Sequence, residues 1–220
     1  MLAARNTAKL HGVAGKADLV VAGDLTVPAV RAALVAQTLE RFGCIDALIN
    51  NAGRGSYFTA SKTPLEEAHS LFELNFFAPF HLAQLTAPWL CKSQGTLVNV
   101  NSIAGQISLP WLPLYSASKF ALASLTSSQR IELRRHGVNV MSVFPGYVAT
   151  EFQAHAAGSV PPAGVVKGKR FAVTAEVCAA AIIRGMERRS HAVVTPRTGW
   201  PLVWLNRLFP RFLESRMEDF

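Results

Sequence analysis

The stretch GTLVNVNSIAGQISLPWLPLYSASKFAL (95–122) runs from a short apolar segment through a loop into a long helix. Residues 95–102 are apolar and β-branched, bounded by Gly95 and by a polar end at Asn101 and Ser102, which reads as a strand buried in a sheet. Leu114 to His136 reads as a helix. The same alternation extends outward in both directions. ADLVVAGDL (17–25) is a strand, and Thr26 is placed to cap a helix from about Val27 to Phe42. DALINNAG (46–53) is a strand ending in a turn. Thr63, Pro64 and Glu66 form a capping-box start for a helical region reaching about Lys92, with a break near Asn75 to Ala78 because Pro79 disfavours helix in the residue before it. NVMSVFPG (139–146) is a strand, Thr174 to Arg189 a helix and HAVVTP (191–196) a last strand. Strands alternating with helices imply an α/β fold, a doubly wound parallel sheet of Rossmann-like type.

Composition narrows the class. The 220 residues suit one α/β domain over 1–198, followed by a basic amphipathic segment over 199–220. Half the residues are hydrophobic and 16% are charged, which marks a globular chain. No apolar run reaches the roughly 18 residues of a membrane span. Cys44, Cys91 and Cys178 are odd in number and far apart, which favours a reducing, cytoplasmic setting. The six histidines lack ligand spacing, so no metal site is expected. The net charge of +8 concentrates near the end, with seven arginines against two glutamates from Arg184 to Arg216. A basic terminal segment fits an anionic surface or a solvated face better than a nucleic-acid reader.

In a doubly wound sheet, ligands sit beyond the carboxyl ends of the strands. Asp24, Asn50 to Gly53, Asn101 with Ser102, and Pro145 with Gly146 occupy those ends. Tyr115 and Lys119 are four residues apart and share one helix face. An ammonium beside a phenol favours the phenolate, so Lys119 is expected to lower the Tyr115 pKa from about 10 and make it a general acid or base. Ser102, at a strand end, can hydrogen-bond a substrate oxygen. A Tyr-x-x-x-Lys alone arises by chance in roughly one chain in three of this length; its placement after Ser102 gives it meaning.

Taken together, GDLT (23–26), NNAG (50–53), the break at Asn75, VNVNSIAG (98–105), YSASK (115–119) and PGYVAT (145–150) resemble the short-chain dehydrogenase/reductase family, in the right order over about 150 residues. The resemblance implies hydride transfer between a nicotinamide and a carbonyl or secondary alcohol. It makes Tyr115 the catalytic acid/base and Lys119 the residue that holds the nicotinamide ribose and tunes the tyrosine. Ser102 would orient the substrate oxygen, and Asn75 would hold a water in the proton relay. Asp24 would meet the adenine, Asn51, Ala52 and Gly53 would line the adenosine side, and Pro145, Gly146, Val148 and Thr150 would close over the nicotinamide.

The family's opening strand and its TGxxxGxG turn, which places the pyrophosphate at a helix amino terminus, do not occur in this sequence. Aligned on GDLT, the opening MLAAR resembles the end of the family's second strand. The strands near 1–4 and 17–25 are therefore expected to lack a bridge to the rest of the sheet. The expectation is an amino-terminally truncated enzyme; the alternative is a short, catalytically inactive paralogue acting as a binding or regulatory partner. Ala4 stands where relatives that prefer NAD carry an acid, and Arg5 follows it. A guanidinium suits a 2′-phosphate, so NADP is expected over NAD; the alternative is that Arg5 is a solvated strand-end residue.

Ile107, Leu109, Trp111, Tyr147, Phe152 and Phe171 either border a hydrophobic substrate, such as a lipid-like, steroid or aromatic ketone or alcohol, or pack as an ordinary lid. In the tail, Leu205, Leu208, Phe209 and Phe212 share a helical face. That face either rests on a membrane surface or packs on its own domain or on a partner subunit of a homo-oligomer.

Overall fold

The computed structural model describes residues 1–158 and 172–217. In chain order its elements are β1 (Leu2–Ala4), α1 (Thr7–Val13), β2 (Val20–Ala22), α2 (Pro28–Phe42), β3 (Ala47–Asn50), β4 (Ser56–Tyr57), α3 (Leu65–Phe72), α4 (Ala78–Ser93), β5 (Thr96–Val100), α5 (Pro113–Arg134), β6 (Asn139–Pro145), β7 (Val148–Ala149), β8 (Ala157–Gly158), β9 (Val173–Thr174), α6 (Ala175–Glu187), β10 (Ala192–Thr195), α7 (Gly199–Leu208) and α8 (Pro210–Met217).

Four strands make a parallel sheet in the order β10-β6-β5-β3. Leu97 and Val140 pack on one face against Leu34, Val35, Leu82 and Leu90 of α2 and α4. Val98, Met141 and Val143 pack on the other against Ile182 and Met186 of α6. Burial on both faces is why β5 and β6 read as continuous apolar runs. Among the polar residues that interrupt them, Asn99 has a carboxamide nitrogen that donates to Thr126 Oγ1 at 2.9 Å and an oxygen that accepts from Asn50 at 2.9 Å. Because the strands are parallel, Asn50, Val100, Pro145 and Thr195 all end at one edge.

β1 and β2 form a separate parallel pair, and no ladder joins it to β3. The expected gap in the sheet is therefore present. The two-stranded pairs β4–β8 and β7–β9 lie outside the main sheet. Among the described residues no helix is long and apolar enough to cross a membrane.

Three local expectations need correction. Thr26 does not cap α2: its amide and hydroxyl both bond Asp24 Oδ1, at 2.9 and 2.8 Å, and Val27 takes the cap position without a side-chain bond. The capping box at Thr63 is not formed, because the Thr63 hydroxyl donates back to Thr59 O at 2.9 Å and Pro64 occupies the cap. Leu205, Leu208, Phe209 and Phe212 do not share one helical face. Pro210 cannot continue α7, so a second helix starts there and the periodicity resets. Val203 and Leu213 become the buried residues, packed with Ile107, while Leu208, Phe209 and Phe212 point outward.

Candidate active site

The break expected near Asn75 is a π-helical segment, Glu73–Phe77, between α3 and α4. Pro79 has no amide hydrogen for the Asn75 carbonyl four residues back, and the wider turn accommodates this. Asn75 is fully buried in that segment. Its side-chain oxygen accepts from the Arg54 amide at 3.0 Å, and its nitrogen donates to the Arg54 carbonyl at 3.0 Å and to Ser118 Oγ at 3.1 Å. Ser118 in turn donates to the Tyr115 carbonyl at 2.8 Å. Asn75 thus ties the loop after β3 to the start of α5. A two-pronged ion pair, Arg54 to Glu67 at 2.6 and 3.0 Å, pins the same loop to α3. A Cβ on Gly53 would come within 3.1 Å of Asn75 Oδ1 and 3.4 Å of Lys119 Nζ, so that loop packs directly on the site.

Ser102 follows β5 and caps a short 3₁₀ turn, accepting from the Ala104 amide at 3.1 Å. Its side chain also acts on the Tyr115 phenol, lowering that group's pKa somewhat. Tyr115 and Lys119 lie on the first turns of α5, both buried. Lys119 Nζ donates to the Val100 carbonyl at 2.9 Å and sits 5.9 Å from the centre of the tyrosine ring. The structure brings Asn75, Ser102, Tyr115 and Lys119 together at the carboxyl edge of the sheet.

Their electrostatics differ from the expectation that the ammonium lowers the phenol. Burial pushes the Tyr115 phenol up to about 12, against a smaller lowering by Ser102 and a further rise from nearby Tyr57. Burial pushes the Lys119 amine down to about 8. Both charged forms lose hydration in this pocket, and that loss governs both shifts.

The adenosine-side residues stand at two separate places. Asn51, Ala52 and Gly53 form the loop leaving β3. Asp24 and Arg5 follow β2 and β1, whose ends are joined by the Gly23 amide to the Ala4 carbonyl at 3.1 Å. Two hydrogen bonds from Thr26, and the charge of Arg5, hold the Asp24 carboxyl below its usual range. Arg5 therefore has a carboxylate within electrostatic reach, which the sequence reading did not foresee. Pro145 ends β6, Gly146 donates to Thr195 O at 2.8 Å, and Val148 enters the β7–β9 ladder with Thr150 just beyond it.

A nicotinamide cofactor fits this edge in part. Lys119, Tyr115 and Ser102 converge where the nicotinamide ribose is expected. Beside them the buried Asn101 carboxamide has no partner among the described residues, a polar group that a ligand would satisfy. No glycine-rich turn feeds a helix start among the described residues, so no pyrophosphate cradle is assigned.

The apolar residues around the phenol are Leu71, Leu112, Leu109, Trp111, Phe152 and Tyr57. Phe152 lies with its ring centre 5.5 Å from that of Tyr115. Tyr147 is half-buried and near enough to Tyr57 to raise its pKa further, on top of burial, to about 12. Ile107 does not belong here: it faces Val203 and Leu213. Phe171 lies outside the described residues. Tyr57 and the Arg54–Glu67 pair were missed, because isolated residues in a loop and a helix start carry no periodic signal.

The family model described as short chain dehydrogenase matches residues 2–159. A short-chain dehydrogenase of Penicillium ochrochloron, ptmH, is 33% identical over 186 residues, covering 79% of this chain and 69% of its own length. A mouse L-fucose dehydrogenase is 32% identical over 179 residues, covering 76% of this chain and 64% of its own. An Arabidopsis thaliana 11-beta-hydroxysteroid dehydrogenase-like protein, 4A, is 31% identical over an alignment of 228 residues, covering 98% and 74%. Two further relatives are matched over only 40% and 43% of their own length. Among solved structures, a Burkholderia cenocepacia short chain dehydrogenase in complex with NADP superposes with a TM-score of 0.81 at 25% identity, covering 98% of this chain and 84% of that one. A Burkholderia phymatum short chain dehydrogenase/reductase in complex with NAD shares the fold, with a TM-score of 0.76 at 24% identity over 89% and 76%. The ordered motifs, the convergence of their residues at one sheet edge and these matches agree, and the chain belongs to the short-chain dehydrogenase/reductase family.

Proposed function

We propose that this protein interconverts a carbonyl and a secondary alcohol on a hydrophobic substrate, using a nicotinamide cofactor. The observation that carries the reading is the buried Tyr115 phenol, its pKa acted on by Ser102, with the Lys119 amine 5.9 Å from the centre of its ring. A phenol at about 12 is protonated at neutral pH, so Tyr115 enters reduction as the proton donor to the substrate oxygen. In oxidation the proton returns to it. Ser102 is placed to hold the same oxygen. An amine at about 8 is still mostly charged at pH 7, and beside the phenol it stabilises the phenolate left after proton transfer. The nicotinamide, when bound, supplies or accepts the hydride.

The substrate reading rests on Trp111, Phe152 and Leu109, which pack in the cluster that holds Tyr115, with Tyr147 near Tyr57 of the same cluster. The names of the relatives span a steroid-like and a sugar substrate and do not decide between them. NADP is preferred to NAD in this proposal because Arg5 suits a 2′-phosphate, although Asp24 shares its surroundings.

The test is turnover of lipid-like, steroid and aromatic ketones and alcohols, followed by nicotinamide absorbance. Tyr115→Phe should lower kcat by about a hundredfold or more, the range of general acid–base catalysis, while cofactor affinity is kept. Lys119→Ala should damage both. Full turnover by Tyr115→Phe overturns the mechanism. The competing reading, a non-catalytic binding partner, requires that the unmutated protein turn over none of these compounds.

A further inference from the structure

The two C-terminal helices dock through one face and leave an aromatic face uncovered. Val203 and Leu213, at 2% and 8% exposure, pack with Ile107, and Asn206 Nδ2 donates to Gln106 O at 3.1 Å. With that side fixed, Trp200, Trp204 and Leu208, spaced four residues apart, form a stripe along α7 that turns away from the body. Trp204 is 54% exposed and Leu208 65%, and Phe209 and Phe212 follow at 60% and 51%. Isolated exposed apolar residues are ordinary, but five large ones along two consecutive short helices and the residue that joins them are not.

The charges beside this face are basic. The Arg207 guanidinium lies 6.0 Å from the Trp204 ring centre, and that of Arg216 lies 5.5 Å from the Phe212 ring. Arg211 is exposed between them, and Glu214 is the one acid on the two helices. Glu218 and Asp219 follow in the sequence, so residues 199–220 together carry three arginines and three acids; the basic excess lies on the two helices themselves, within a chain of net +8.

We propose that this face docks on an anionic lipid surface, with the aromatic residues at the headgroup boundary and the arginines against lipid phosphates and carboxylates. Interfacial helices that lie flat on membranes combine these two features, and arginine recognises such oxygen pairs by its fork of donors. Two other occupants fit less well. A second copy of the chain would set the same arginines against each other. Residues 159–171, the internal stretch outside the described structure, carry three basic residues and no acid, so they bring no complementary charge. The proposal does not depend on the catalytic reading.

The experiment is co-sedimentation of the chain with phosphatidylcholine vesicles, with and without phosphatidylserine, read together with tryptophan quenching by brominated lipid. Binding should need phosphatidylserine, weaken with salt and quench tryptophan emission. Arg207→Gln with Arg211→Gln should lower the affinity by roughly thirtyfold, each basic residue near an anionic leaflet contributing about a factor of five. Trp204→Ser with Phe212→Ser should also lose binding. All four positions are exposed, so folding checked by circular dichroism should be unchanged, and the salt titration of the unmutated chain needs no variant. Absent binding, or equal binding to both vesicle types regardless of the arginines, overturns the proposal. So does a concentration-dependent dimer, seen by ultracentrifugation, that Trp204→Ser abolishes, because the face would then belong to a second copy.

Discussion

The four-stranded sheet and the β1–β2 pair carry opposite ends of one candidate site and are built differently. In β5 and β6, Leu97, Val98, Val140, Met141 and Val143 are at most 1% exposed, and the sheet is covered on both faces. No residue of β1 or β2 is fully buried. The pair rests on the body through Ala3 and Val21, which pack at the edge of the α2–α4 cluster. Lys9 on α1 also pairs with Glu151, but both side chains are largely exposed, so that pair adds little. The groups proposed for proton transfer therefore stand on a rigid support. Arg5 and Asp24, proposed for the adenosine end, stand on a unit with open strand edges. Strand pairing and burial, rather than the identity of the functional side chains, separate the two ends.

Hydrogen exchange should show this contrast most strongly. Amides of β5 and β6 open only with global unfolding, whereas a three-residue pair with few buried contacts opens locally. Exchange at Leu2–Ala4 and Val20–Ala22 should be about a thousandfold faster than in β5 and β6, given global stabilities of several kcal/mol. Equal protection would show that the pair is supported by more than the contacts described.

A smaller effect sharpens the picture of the rigid end. The folded protein releases the Lys119 proton near pH 8, whereas an ordinary lysine releases it near 10.5. Between those values the unfolded chain binds more protons, so the contribution of this site to stability rises with pH. Below pH 8 the buried charge is a cost. Lys119→Met should thus stabilise the protein by about 3 kcal/mol at pH 7, and the gain should fade toward pH 10.5 in urea melts. A gain independent of pH would mean that packing, not charge, limits stability there.

The smallest change belongs to the end with open strand edges. Arg5→Asp should narrow an NADPH-over-NADH preference by about tenfold, the scale of one charge-assisted contact. An unmutated protein that strongly favours NADH would refute the reading of Arg5.

Much of this organisation is written locally. A strand covered on both faces must be a continuous apolar run, so β5 and β6 could be read from residues 95–102 and 139–146. Four-residue spacing places Tyr115 and Lys119 on one helix face wherever the helix lies. Pro79 forces a disturbance near Asn75 from its own covalent structure. The gap beside β3 was expected from the family resemblance, whose first strand and glycine-rich turn do not occur in this sequence.

Other properties depend on what surrounds a residue in space. Spacing predicted a lowered phenol pKa, but the ionisation of Tyr115 and Lys119 is governed by how completely the fold removes water from them, and burial reversed the expected direction. Arg54 meets Glu67 and Asn75 across a loop and two helical segments, a meeting that no periodicity encodes. In the tail, periodicity placed Leu205, Leu208, Phe209 and Phe212 on one helical face, for a membrane surface or for packing. Pro210 reset the helix, and the body offered Ile107 as the docking point, so Val203 and Leu213 were buried and the aromatic residues were left outside. Local sequence sets which elements form because backbone geometry and side-chain period act over a few residues. Solvent exclusion and partner choice act between segments far apart in the chain, and only their packing determines them.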